Sequence, residues 1–107
     1  MKIAIASTDG KVINAHFGRT PQFLIFEIVD KEFILVDVRM NQPACSNLVH
    51  PKGTMEDTME LISDCSYVIA SQIGPGMIEK LKEKNIVGVI NPNFIQVGME
   101  ELLLQIT

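Results

Sequence analysis

The side chains that could carry chemistry gather in three stretches of this sequence. The first is Ala15-His16-Phe17-Gly18-Arg19-Thr20. His16 can ligate a metal or cluster iron, or donate to an anion. Arg19, one helical turn's worth of sequence further on, can clamp an anion with paired N–H groups. Gly18 reads as the turn between them, and Phe17 as a core plug beside the site rather than a stacking platform. The second stretch, Asn41 to Gly53, holds Cys45, His50 and Lys52. Thiolate plus imidazole suits soft metals and iron–sulfur clusters, although the spacing of Cys45 and His50 matches no closed metal motif. Cys45 reads equally well as a small loop residue. The third is Gly74-Pro75-Gly76, which would open a helix with free backbone N–H groups, a setting that suits an anion or a phosphate.

Several chemistries are excluded by residues that are missing. Asp9 is the one carboxylate near these stretches, and two-metal hydrolysis needs several converging carboxylates. No Gly-x-Ser-x-Gly elbow and no Walker A motif is present. Cys65 lies away from the loops and reads as core.

The elements that must position these residues follow from hydrophobic periodicity. Strands are expected at Ile3–Ser7, Phe23–Val29, Phe33–Met40, Tyr67–Ala70 and Ile86–Ile90. The first is apolar enough for a central strand covered on both faces. Asp30-Lys31 makes the second and third a hairpin. In the third, Asp37 and Arg39 should form a wet face and Val36 and Val38 a dry one, as on an edge strand. Thr8-Asp9-Gly10-Lys11 is turn chemistry. Helices are expected from an N-cap at Thr54 to about Asp64, from Pro75 to near Asn85, and from Gly98 to Gln105.

Strands one to three should form a meander, with strands four and five added in parallel by right-handed crossovers. The expected sheet order is 3-2-1-4-5, with helices on both faces. The exits of strands one, three, four and five then lie at one end of the sheet, where ligands of open α/β sheets bind. Those exits are residues 8–20, 41–53, 71–76 and 91–97. Of 13 acidic residues, Asp9 alone falls in them. Lys11, Arg19 and Lys52 do too, and Arg39 stands just before one. A basic rim is therefore expected on an acidic protein.

At 107 residues the chain is one domain, long enough to bury about 65% of its unfolded surface without staples. A net charge of −4 argues against a nucleic-acid partner. Two cysteines form neither a disulfide framework nor a complete zinc site. No segment approaches the ~20 apolar residues of a membrane span, and the first residues lack a signal-peptide core. The expectation is a cytoplasmic protein with reduced thiols and no membrane partner.

Nearly end to end, the sequence resembles the dinitrogenase iron–molybdenum cofactor biosynthesis family, the group of NifX, NafY and the C-terminal domain of NifB. The resemblance runs through Met1-Lys2-Ile3-Ala4-Ile5-Ala6, then His16-Phe17-Gly18-Arg19-Thr20-Pro21 entering the strand at Phe23–Glu27. It continues through Asn41-Gln42-Pro43, His50 and Gly53, and Ile73-Gly74-Pro75-Gly76. It implies a ribonuclease-H-like three-layer α/β/α fold with a five-stranded mixed sheet. It also implies a non-catalytic carrier of iron–molybdenum cofactor, an iron–sulfur precursor or another molybdenum-containing cluster, exchanging it with donor and acceptor proteins. The family's ligand histidine maps to His16, Arg19 follows from the same motif, and His50 corresponds to a loop histidine. Where relatives carry His-Gly or His-x-His, this chain has His50-Pro51-Lys52-Gly53. Two other readings of the residues remain: a regulatory domain binding a phosphorylated ligand at Gly74–Gly76, and a protein-interaction module.

Overall fold

A computed structural model describes residues 1–41 and 55–106. The elements run β1 (Lys2–Ala6), β2 (Gln22–Val29), β3 (Glu32–Met40), α1 (Met55–Leu61), β4 (Tyr67–Ala70), α2 (Pro75–Glu83), β5 (Val87–Ile90) and α3 (Ile95–Ile106). They form one five-stranded sheet in the order β3-β2-β1-β4-β5. β1 pairs antiparallel with β2 and parallel with β4. β2–β3 is antiparallel and β4–β5 parallel. Order and directions are those expected from the sequence.

The alternation of side chains across β1 and β2 divides the core. Ala4, Ala6, Phe23 and Ile25 point to the side where Met59, Ile62 and Leu81 pack. Ile3, Ile5 and Leu24 point to the other side, against Ile95, Met99 and Leu102 of α3. β1 is buried on both faces from Ile3 to Ala6, as its unbroken apolar run requires. Asp30 and Lys31 both adopt positive φ, 50° and 67°. That is the backbone of a two-residue turn matched to the twist of a hairpin.

α1 ends at Leu61, three residues before its expected end near Asp64, and two further elements depart from expectation. α3 begins at Ile95, three residues before the expected start at Gly98. The Asn93 side-chain oxygen accepts the Phe94 N–H at 2.8 Å, and the Phe94 carbonyl accepts the Gly98 N–H at 2.9 Å in the first turn of the helix. Gly98 lies inside it because a Cβ there would stand 2.6 Å from Ile13 Cδ1. The glycine permits close packing and does not mark a boundary.

β3 carries a register shift opposite Ile25/Phe26: Asp37 faces Ile25 but Leu35 faces Phe26, leaving Val36 as the extra residue. The expected division into a wet and a dry face holds only at Asp37, which is exposed. Val36 and Val38 are exposed, whereas Arg39 is half-buried. Its guanidinium grips Asp64 by two bonds of 2.6 and 2.9 Å, the Leu61 carbonyl at 2.9 Å and Asp37 at 3.1 Å. Arg39 therefore fastens the edge strand to the carboxyl end of α1 and is not part of a basic rim. These bonds hold the Asp64 carboxyl well below the usual carboxylate range and raise the Arg39 guanidinium further.

Candidate functional site

The loop after β1 is shaped by short polar side chains. Ser7, fully buried, donates its hydroxyl proton to the Val12 carbonyl at 2.6 Å and accepts the Gly10 N–H at 3.0 Å. The Asp9 carboxylate accepts the N–H groups of Lys11 and Val12, which lowers its pKa. Gly10 takes φ +77°, as the turn requires. Asn14 closes the loop on Thr8 with two bonds of 2.9 Å. Asp9 is thus an organiser of the loop through its Oδ1.

The following segment is pinned to the strand-four exit. Ser71 N–H donates to the Ala15 carbonyl and Phe17 N–H to the Gln72 carbonyl, both at 3.0 Å. A short parallel bridge links His16 with Gln72. The His16 carbonyl accepts N–H groups from Arg19 and Thr20 at 3.1 and 3.0 Å, so residues 17–19 form a tight turn. Gly18 sits in that turn without positive φ. Phe17 is buried and packs on Phe23, ring centroids 5.8 Å apart. Thr20, also fully buried, donates its hydroxyl proton to the Gln22 carbonyl at 2.6 Å. The buried residues on either side hold the turn, and His16 and Arg19 are left exposed on it.

His16, Gly18, Arg19, Gln72, Gly74 and Met77 line one cleft of about 240 Å³, with the edge of Phe17 as a further wall. The loop after β1 and the amino end of α2 meet here, as the topology predicts. Pro75 opens α2, the Gly74 carbonyl accepts its first N–H groups at 2.9 and 3.1 Å, and no side chain caps it. Added Cβ atoms at Gly74 or Gly76 would meet nothing within 4 Å. Packing does not explain these glycines; their effect is a bare approach to the helix end. Gln72 and Met77 were not singled out from the sequence. Gln72 lay within the expected 71–76 exit, and Met77 directly follows Gly74-Pro75-Gly76.

The expected basic rim is dispersed. Arg19 stays at the cleft. Lys11 lines a different hollow of about 560 Å³ on the α3 side of the sheet, with Phe26, Phe33 and Phe94. Loop residues 11–13 and 93–95 are joined there by bonds of 2.8 Å from Ile13 N–H to the Asn93 carbonyl and from Ile95 N–H to the Lys11 carbonyl. That larger hollow holds no imidazole, thiol or thioether, so the smaller cleft is the candidate site. Cys45, His50 and Lys52 lie outside the described residues, as does the expected N-cap at Thr54. The loop that bears them leaves from Asn41, whose side-chain N–H donates to the Thr20 carbonyl at 2.9 Å. Cys65 is buried, and burial pushes its thiol up to about 12.

Among the described residues no three His, Cys, Asp or Glu side chains stand together as a metal site. One exposed imidazole beside a guanidinium is a poor cage for a bare cation, which needs several donors. It does suit an anionic group that arrives with most of its metal coordination already filled.

A three-layer α/β domain with an exposed imidazole and guanidinium at the strand ends defines the class. Comparison with known proteins defines the family. The family model described as dinitrogenase iron-molybdenum cofactor matches residues 1–101. The chain belongs to that family, which is tied to biosynthesis of the iron–molybdenum cofactor. It is 33% identical over 87 residues to the FeMo cofactor biosynthesis protein NifB of Frankia alni. That match covers 78% of this chain and 17% of the longer relative. Among solved structures, PH0822 superposes with a TM-score of 0.73 at 21% identity, covering 98% of this chain and 91% of that one. A Thermotoga protein provisionally described as NifB superposes at 0.61 with 22% identity, over 94% and 85% of the two chains. These likenesses establish the fold. Among the described residues, no helix is long and apolar enough to cross a membrane.

Proposed function

We propose that the chain is a non-catalytic carrier of a preassembled iron–sulfur or molybdenum–iron–sulfur cluster, held as cargo in the His16 cleft. The observation that carries this is the composition of the cleft: His16 and Arg19 face one space beside an uncapped helix start. A cluster brings its own bridging sulfides and needs few protein ligands. The His16 imidazole supplies a metal–nitrogen bond, and Arg19 and the start of α2 offset the cluster's negative charge. His50 and Cys45 are further candidate ligands and Lys52 a further counter-charge. Holding a cluster by few protein ligands suits a protein that must pass its cargo from a donor to an acceptor. The working compartment is then the cytoplasm, where cluster sulfides and the thiols stay reduced.

The test is an anaerobic titration of the apo-protein with a cluster source, read by absorption. The expected result is a charge-transfer band saturating at one cluster per chain, lost in His16→Ala while the far-ultraviolet circular dichroism is unchanged. A band equally strong in His16→Ala refutes the ligand assignment. Thermal protection by a nucleotide, with no cluster band, replaces the proposal by the phosphorylated-ligand reading.

A further inference from the structure

Met77 has no role in the proposal above, yet it forms a wall of the same cleft. It stands in the first turn of α2, where its N–H donates to the Gly74 carbonyl at 2.9 Å. Its side chain is half-buried. One part packs against the core between the sheet and α1/α2, and another lines the cleft with His16, Arg19 and Gln72. The other polar members of that wall are hydrogen-bond donors or a cation. Arg19, the Gln72 amide and the α2 start would accept any compact anion, phosphate included. Met77 differs in kind. A thioether donates no hydrogen bond, and it is soft and polarizable.

We infer that Met77 is the selectivity residue of the cleft, favouring a sulfide-rich anion over an oxyanion of the same charge. The inference rests on the carrier reading and sharpens it. An oxyanion entering the cleft gives up water on the side facing Met77 and receives no hydrogen bond in return. A sulfide-faced cargo is weakly hydrated and gains dispersion contact with the thioether sulfur and the adjoining Phe17 edge. The His16 N–H can donate to either anion, and Arg19 attracts either charge. Met77 is the group whose interaction changes sign between them, so it discriminates by rejection as well as attraction.

The experiment uses two dianions of one shape, tetrathiomolybdate and molybdate, titrated separately into the apo-protein. The ratio of their dissociation constants is compared in wild type, Met77→Leu and Met77→Gln. Met77→Leu keeps the apolar volume that the core needs and removes the sulfur. Met77→Gln is similar in length and adds a donor. The expected wild-type preference is for tetrathiomolybdate. The ratio should fall several-fold in Met77→Leu, through weaker tetrathiomolybdate binding, and roughly tenfold or more in Met77→Gln, chiefly because molybdate binds more tightly. Thermal midpoints of the variants separate this from a packing role, which would lower the midpoint and leave the ratio alone. A wild-type ratio without preference, or one unmoved by both substitutions, overturns the inference. The cluster titration of wild type stands apart. If clusters bind but the ratio ignores residue 77, the carrier reading survives and the Met77 role does not. If the ratio responds but no cluster binds, the reverse holds.

Discussion

Gly98→Ala inverts the usual effect of such a substitution, and the structure supplies the magnitude. In the middle of a helix, replacing glycine by alanine normally stabilises by about 1 kcal/mol through propensity alone. In α3 the new Cβ would stand 2.6 Å from Ile13 Cδ1, well inside van der Waals contact. Ile13 is fully buried, so its methyl cannot swing out into water and must repack inside the core, and such overpacking costs about 1–3 kcal/mol. The sum is a net loss of about 1 kcal/mol, or a thermal midpoint lowered by roughly 4–8 °C for a domain of this size. Ile13→Val removes the clashing atom and by itself costs about 1 kcal/mol. In that background Gly98→Ala should recover its propensity gain and stabilise by about 1 kcal/mol. The two sites then couple by about 2 kcal/mol. Urea unfolding of the four proteins, with unchanged m-values, measures each term. Stabilisation by Gly98→Ala in the wild-type background, or simple additivity of the two changes, refutes the reasoning.

Other consequences follow from the ion pairs and the buried thiol. Asp64 is depressed in the fold by its bonds to Arg39, and Lys2 adds to the effect at 3.3 Å. Its contribution to stability is therefore present above the unfolded carboxyl value near ~3.9 and is lost as pH falls below it. Asp64→Asn should destabilise by about 1 kcal/mol at pH 7, since the carboxylate is partly exposed and screened. That deficit should shrink through pH 4 to 2 in urea midpoints; a deficit that stays constant removes the ion-pair account. With its thiol pushed up by burial, Cys65 stays protonated at pH 8. In a Cys45→Ser variant it should resist an aromatic disulfide reagent until urea unfolds the domain, whereas rapid reaction of the native protein would place it elsewhere. Lowering ionic strength should tighten cluster binding more in wild type than in Arg19→Ala, because the guanidinium attracts a multiply charged anion. Equal salt slopes would remove Arg19 from the site.

The sheet was legible because its apolar runs are short and its turns carry their own chemistry. Asp30-Lys31 and Gly74-Pro75-Gly76 each mark a boundary that the structure keeps. The start of α3 was not legible, since glycine signals both a helix end and a close approach. Only the position of Ile13 decides between them. The register shift in β3 was likewise invisible: one extra residue at Val36 changes which side chains of β3 stand opposite β2 without changing the strand's composition. At the site, His16 and Arg19 could be named from residue type and loop position. Arg39 was misplaced because its partner Asp64 is 25 residues away in sequence. Gln72 and Met77 enter the cleft only through the bridge between the loop after β1 and the exit of β4.

The central claim is that the His16 imidazole bonds a metal of the cargo. Its most direct test is chemical rescue. His16→Gly is titrated with cluster under anaerobic conditions, with and without millimolar free imidazole. The account predicts no charge-transfer band without imidazole and a band restored by it, with N-methylacetamide inactive as a control. Full binding without imidazole, or no rescue in a variant shown to be folded, would contradict it.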